Sequence, residues 1–250
     1  MKRLIVPLVL LLVASASLAG DEAAAEDSPD PIEILKKVDA AVKAVSAVSY
    51  SAKSTPSGIA VNFVSPAEGS AVLVGWNEAW GMPEKFRVHL ETTPPGSDEQ
   101  VELTGGGDGD MFFLIDHTGK RVYEDMDPNV LGSSGNSLQG FGMREFVHSH
   151  PFDDEIGAET VKYEGVETVG GEECHKIFID YGQGGQKSTW LFGTSDYLPR
   201  RRVQHFTIPE QGDGTLAIEV TKLEINPEID PSVFRLVRPE GFEQIDDFAP

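Results

Sequence analysis

Two histidines, His148 and His150, flank Ser149, with Asp153 and Asp154 close behind. Imidazole nitrogens and carboxylates are the ligands of zinc-type centres. Positions i and i+2 share a face only on a strand, and no further histidine–carboxylate pattern completes a ligand set. Neither histidine is therefore expected to hold a metal. Gly106-Gly107-Asp108-Gly109-Asp110 resembles a calcium-binding turn. It is not repeated and lacks the glutamate that closes an EF-hand loop, so a plain hairpin turn is expected over Gly105 to Asp110. Arg200-Arg201-Arg202 stands out in an acidic chain. On a strand, Arg200 and Arg202 would share a face and could meet an anionic head group or an acidic partner. The alternative is an exposed strand whose arginines balance neighbouring acids. Lys187, Arg235 and Arg238 would extend the patch if the fold gathers them. Cys174 is the single cysteine, which excludes an internal disulfide. Preceding a strand-like run, it reads as a buried, inert thiol.

No Gly-x-Ser-x-Gly elbow, phosphate-binding loop or dinucleotide fingerprint occurs in the sequence. With 41 Asp and Glu, a carboxylate pair for glycoside hydrolysis stays open, but no particular pair is marked. The expectation is a protein with no catalytic residue, no metal and no cofactor.

Whatever these side chains do, other elements must deliver and position them. Lys2 and Arg3 precede the apolar run Leu4 to Val13 and the small-residue stretch Ala14 to Gly20. This is the grammar of a secretory signal peptide, with Ser17-Leu18-Ala19 as the cleavage motif. The apolar run is shorter than the roughly 20 residues of a spanning helix. No cysteine follows Ala19 to accept a lipid anchor. The mature protein is expected to be exported and soluble, in a periplasm or cell envelope. Removing Lys2 and Arg3 takes the formal charge from −21 to −23. Such a balance argues against nucleic acid, which needs clustered basic charge, and allows at most transient membrane contact.

Residues 20–29 are rich in Ala, Asp and Glu and read as a flexible acidic tether. Asp30, Pro31 and Glu33 then carry a helix-start signal, a cap followed by proline and a capping-box acid. Ile34, Leu35, Val38, Ala41, Val42, Val45 and Val48 follow at helical spacing, which predicts an amphipathic helix of about 18 residues. From Tyr50 the pattern changes to period two. Strands are expected over 71–76, 85–91, 111–116, 121–124, 159–163, 173–181, 187–192, 200–208 and 216–225. Turns are expected at His117-Thr118-Gly119-Lys120, Gly170-Gly171, Gly184-Gly185 and Gly212-Asp213-Gly214. Residues 128–157 break the alternation. They read as a loop with one or two short helices, in which Leu138, Phe141, Glu145 and Phe146 share a face. The order fits an antiparallel meander covered by helices on one face.

The C-terminal third carries a family resemblance. Val169-Gly170-Gly171-Glu172-Glu173-Cys174-His175-Lys176-Ile177 is a strand–turn–strand unit. It is followed by Trp190-Leu191-Phe192 and by Asp196-Tyr197-Leu198-Pro199-Arg200-Arg201. Then come Ile225-Asn226-Pro227-Glu228-Ile229-Asp230-Pro231-Ser232-Val233-Phe234 and the tail Arg238-Pro239-Glu240-Gly241-Phe242. With the opening helix Ile34-Leu35-Lys36-Lys37-Val38, this ordered set resembles the outer-membrane lipoprotein carrier superfamily, the LolA/LolB-like periplasmic proteins. The resemblance spans residues 30 to 248. It implies one α+β, mainly β domain over residues 30–250, a strongly curved antiparallel sheet forming an incomplete β-barrel. Its concave face would be covered by the N-terminal helix and the helical insert.

That resemblance implies a lipid or an acylated lipoprotein as partner, with acyl chains held between sheet and plug. Trp76, Phe86, Val88, Leu90, Phe113, Ile115, Phe141, Phe146, Trp190 and Phe192 are the expected groove residues, each also a candidate for plain core packing. Arg200 and Arg202 are the head-group candidates. The alternatives are an envelope sensor or scaffold that binds a protein or peptide with the same fold, and a secreted hydrolase.

Overall fold

The computed structural model describes residues 28–134, 138, 141–182 and 186–245. The expected signal peptide, most of the acidic tether and the Gly184-Gly185 turn lie outside the described residues.

Helix α1 covers Pro31–Lys43. Asp30 caps it, its carboxylate accepting from the Ile32 amide at 2.9 Å, and Pro31 occupies the first turn. Glu33 bonds Lys36 at 2.7 Å rather than reaching back as a capping box. Ile34, Leu35, Val38 and Val42 form the buried stripe. The helix is shorter than the spacing predicts. Val48 belongs to β1 (Ala47–Gly58), where it pairs with both Leu73 and Ile225. The Asn226 carboxamide oxygen accepts from the amides of Ser46 at 2.8 Å and Ala47 at 3.2 Å, which fixes the chain as it leaves the helix. From Ala47 to Ser51 small residues alternate with the buried Val48 and Tyr50, so the three-residue spacing Val42, Val45, Val48 runs across the end of the helix into a strand.

Eleven further strands follow. They are β2 (Ala67–Asn77), β3 (Met82–Thr92), β4 (Val101–Gly107), β5 (Phe112–Asp116), β6 (Arg121–Asp125), β7 (Thr160–Val169), β8 (Glu172–Asp180), β9 (Lys187–Gly193), β10 (Pro199–Ile208), β11 (Gly212–Ile225) and β12 (Glu243–Gln244). They form one twelve-stranded curved sheet, order β12-β6-β5-β4-β3-β2-β1-β11-β10-β9-β8-β7, not closed into a barrel. The topology is two meanders, β1–β6 and β7–β11, joined where β1 pairs antiparallel with β11. The expected single meander lacks that long-range pairing. It also lacks β12, which lies parallel to β6 through Glu243 and Arg121.

Two expected turns are strand. Gly105, Gly106 and Gly107 end β4 in the sheet interior, paired with β3 and β5. Their missing side chains make room for neighbours. A Cβ on Gly105 would stand 2.6 Å from Leu138 Cδ1, and one on Gly107 2.7 Å from Phe112 Cδ1. A Cβ on Gly106 would enter the Phe113 ring. The actual turn is Asp108 to Met111, where the Asp108 carboxylate accepts from the amides of Asp110 and Met111. Likewise Gly212 to Gly214 already pair with β10, so the preceding residues make that turn, with Glu210 at φ 66°.

The segment between β6 and β7 forms the expected helical insert. It carries 3₁₀ turns at Pro128–Ser134 and Arg144–Phe146 and the single-turn helix α2 (Asp153–Ile156). The buried Tyr50 hydroxyl accepts from the Met143 amide at 2.8 Å, and its ring lies 5.7 Å from Phe146, which pins the insert to β1. The main core lies between the concave sheet face, α1 and the insert. Phe113, Ile115 and Val122 form a second cluster on the convex face, covered by Leu236 and Phe242. Val169, Cys174 and Leu191 form a third. Cys174 is fully buried, and burial pushes its thiol up, as suits an inert residue.

Candidate functional site

A cavity of about 1230 Å³ opens between the concave sheet face and the insert. Because the sheet curls, β2, β3 and β4 supply one wall and β9 and β10 the other. Leu73, Phe86, Val88 and Gly105 line the first wall; Ser188, Trp190 and Arg202 line the second. Leu131, Leu138, Glu145 and Glu155 reach it from the insert, and half-exposed Trp80 stands at its edge. Strand alternation produces this lining. Phe86 and Val88 are i and i+2 on β3, and Trp190 pairs with Arg202 across β9 and β10.

Three nearly buried charged groups are among the polar residues that line the space. Arg202 Nη1 donates to Glu145 Oε1 at 2.7 Å, and both side chains are almost buried, at 12% and 13% exposure. Its guanidinium also lies 5.4 Å from the Trp190 ring centroid. Glu145 Oε2 and Arg202 Nε find no hydrogen-bond partner among the described residues. A buried charge pair with two atoms left unsatisfied is costly to keep in the fold. The third group is Glu155. Burial is the main cause that pushes its carboxyl up to about 7, opposed by a 2.8 Å hydrogen bond from the Tyr181 hydroxyl. Tyr181 is also 3.0 Å from the Ser188 hydroxyl. The cavity thus has an apolar part over Leu73, Phe86, Val88 and Trp190. Its polar part holds Glu145, Arg202, Glu155, Tyr181 and Ser188.

Of the ten expected groove residues, Phe86, Val88 and Trp190 line the cavity. Leu90, Phe141, Phe146 and Phe192 lie fully buried in the main core beneath it. Trp76 is partly buried against that core and packs on the His148 ring at 4.1 Å. Phe113 and Ile115 point the other way. On β5, Phe112 and Leu114 take the concave face, so Phe113 and Ile115 fall in the convex cluster. A strand apolar on both faces gives no signal for which side is which. Trp190 stacks on Phe192 at 5.6 Å and meets Phe152 edge-on at 5.3 Å, so it is a core residue as well as a lining one.

The two head-group candidates separate. A register shift between Pro199 and Arg201 takes Arg200 out of the strand alternation. Arg200 instead clamps Asp196 at 2.6 Å and Glu172 at 2.8 Å, so its charge is already matched by two carboxylates. Only Arg202 enters the cavity. Lys187 also reaches it while pairing with Asp180 at 3.1 Å. His148 and His150 do different jobs. The His148 Nδ1 accepts from the His150 amide at 2.8 Å, and the His150 ring meets Asp153 at 3.0 Å.

Glu155, Tyr181 and Ser188 were not singled out in sequence. Tyr181 follows β8 and Ser188 lies on β9 seven residues on, while Glu155 comes from α2 and no motif marks it.

The described residues thus form a curved open sheet with a plug of short helices and a cavity beneath it. No family model and no curated protein matches the chain. Similar solved structures include Mycobacterium tuberculosis lipoprotein LppX, at 13% identity, covering 80% of this chain and 99% of that one, TM-score 0.43. A second is a chain of the Pseudomonas aeruginosa MucA/MucB complex, at 10% identity, covering 84% of this chain and 62% of that one, TM-score 0.43. A third is described as an outer membrane lipoprotein-sorting protein domain from Vibrio parahaemolyticus, at 9% identity, covering 82% and 95%, TM-score 0.33.

Proposed function

We propose that the protein is an exported carrier that binds a lipid, or the acyl part of a lipoprotein, in the cavity under the insert. One observation supports this most: a single space of about 1230 Å³ has an apolar part and a polar part. Pockets for small ligands usually span about 300–1,000 Å³, so this one has room for a long chain. Burying an acyl chain is worth roughly 0.8 kcal/mol per CH₂, and a bilayer offers the same gain. A carrier must match the bilayer without exceeding it, and a wide cavity whose lining is polar as well as apolar holds a chain less tightly than a wholly apolar one. The half-satisfied Glu145–Arg202 pair and Glu155 supply polar anchors. Glu145 is tied to Arg202 and Glu155 to Tyr181, which suits holding a head group better than moving protons in a hydrolase. Among the described residues no helix is long and apolar enough to cross a membrane.

The test is native mass spectrometry of protein purified from its own envelope, with organic extraction, followed by uptake of a fluorescent fatty-acyl probe. A discrete lipid or acyl-peptide mass is expected, and Arg202→Gln should weaken probe retention about tenfold, roughly 1.4 kcal/mol. An empty protein that also refuses the probe would overturn the reading and direct attention to a protein or peptide partner.

A further inference from the structure

The convex face carries a cluster that the cavity does not involve. β3 sends Phe86, Val88 and Leu90 inward, so His89 points outward. It pairs across to Thr104 on β4. Glu102 is two residues earlier on that strand and shares the face. His117 follows β5 at the turn into β6, and its amide donates to the Glu102 carbonyl at 3.0 Å. The Glu102 amide donates in turn to Thr118 Oγ1 at 3.0 Å, which locks the turn to β4.

Thr104 sits between the two rings. Its hydroxyl oxygen is 3.0 Å from His89 Nδ1 and 2.9 Å from His117 Nε2, and the residue is 2% exposed. The opposite nitrogens, His89 Nε2 and His117 Nδ1, each lie 3.9 Å from the same Glu102 oxygen. A threonine hydroxyl can accept two hydrogen bonds. When it accepts from both rings, each imidazole keeps its proton on the Thr104 side and turns a lone pair towards Glu102. That is the second-layer arrangement that orients metal-binding histidines.

We propose that His89, Glu102 and His117 form a divalent-cation site of the zinc class, with Thr104 as the positioning residue that fixes both imidazoles. The ligand atoms lie within 4.8 Å of one another. A tetrahedral zinc needs neighbouring ligands about 3.3 Å apart, given bonds of about 2.0–2.1 Å. Rotation of Glu102, whose side chain is 45% exposed, can draw its carboxylate oxygen towards both imidazoles while Thr104 holds them. Two nitrogens and one carboxylate oxygen suit zinc, cobalt and nickel rather than magnesium or calcium. The open side leaves a fourth position for water or an incoming ligand. Arg87 lies near enough to oppose a cation, while Asp116 and Glu102 favour it.

The test is titration of the untagged full chain with Zn²⁺ by calorimetry and with Co²⁺ by visible absorption, with magnesium as control. The expected result is one cation per chain at micromolar affinity, on the order of −8 kcal/mol, with a cobalt spectrum of nitrogen–oxygen ligation. His89→Ala should abolish it; this part-exposed position spares the core, as unchanged circular dichroism would verify. Thr104→Val should weaken it by about tenfold to hundredfold. His150→Ala, at an exposed position elsewhere on the surface, should leave it unchanged. Millimolar affinity in the parent chain, binding that survives His89→Ala, or binding lost in His150→Ala would overturn the site. Unchanged affinity in Thr104→Val would overturn the positioning role.

Discussion

The two faces of strands β3, β4 and β5 are built from one stretch of chain and meet opposite demands. Inward, Phe86, Val88, Phe112 and Leu114 join a core roofed by an insert that leaves a large cavity. Outward, Phe113 and Ile115 are covered directly by Leu236 and Phe242 from the C-terminal segment. Around that small cluster sit the groups that a convex surface can keep wet: Arg87, His89, Glu102 and His117. A strand buried on both faces needs two covers. What each cover does, whether it roofs space or seals it, decides where a large apolar ligand could enter and where only an ion could.

Adjacent glycines on β4 allow the comparison to be broken cleanly, and the effect should be the largest here. Gly105→Leu sends a side chain towards Leu138 and Leu131, under the cavity roof. Gly106→Leu sends the same side chain into Phe113 on the other face. The first should cut acyl-probe uptake by at least about tenfold, or 1.4 kcal/mol. The second should leave uptake intact and cost about 1–3 kcal/mol through overpacking, read as a lowered midpoint in thermal unfolding. Uptake that survives Gly105→Leu, or fails equally in both, would mean the cavity is not where the probe binds.

The same glycines show where sequence reading stopped. Alternation on β3 was plain because Phe86, Val88 and Leu90 are large and their neighbours charged. The hairpin β5–β6 was plain because His117 to Lys120 punctuates two apolar runs. β4 was hidden, since three consecutive glycines read as a turn until the side chains that fill their places are known. Without β4 the register that brings His89, Glu102 and His117 together is invisible in the sequence, and Glu102 falls in no expected element. The cavity's polar groups were hidden for another reason. Glu145 and Arg202 are 57 residues apart, and only the curl of the sheet beneath the insert makes them neighbours. Long-range pairing of β1 with β11 likewise leaves no local trace.

The faces should also differ in the sign of their pH dependence. On the concave side, Glu155 is raised to about 7 from 4.5. The native state then binds the proton that the unfolded chain has released, so this contribution is present in full below about 4.5 and is lost as pH rises through about 7. Glu155→Gln should remove that slope and raise stability at pH 8 relative to the parent by up to about 3 kcal/mol. Chemical denaturation across the pH range reads this directly; parallel curves for parent and variant would show that Glu155 is not held neutral by its burial.

On the convex side the sign reverses, at a smaller amplitude. His117 is held below 6.5 chiefly by burial, so just under that pH the unfolded chain takes up the proton first. The native state weakens as pH falls through the window between the two values. Phe242 meets His117 edge-on at 5.9 Å and is the apolar cover on that side. Phe242→Ala should cost about 1 kcal/mol, well under the roughly 3–5 of a fully buried phenylalanine, because the ring is only partly buried. It should also let water reach His117, raise the imidazole value towards 6.5 and flatten the slope, as an NMR titration of the ring would show. A value that stays put while stability drops would separate the two roles. The C-terminal segment would then be packing on Phe113 and Ile115 alone, and the protein's own strand residues, not its cover, would set the environment of His117.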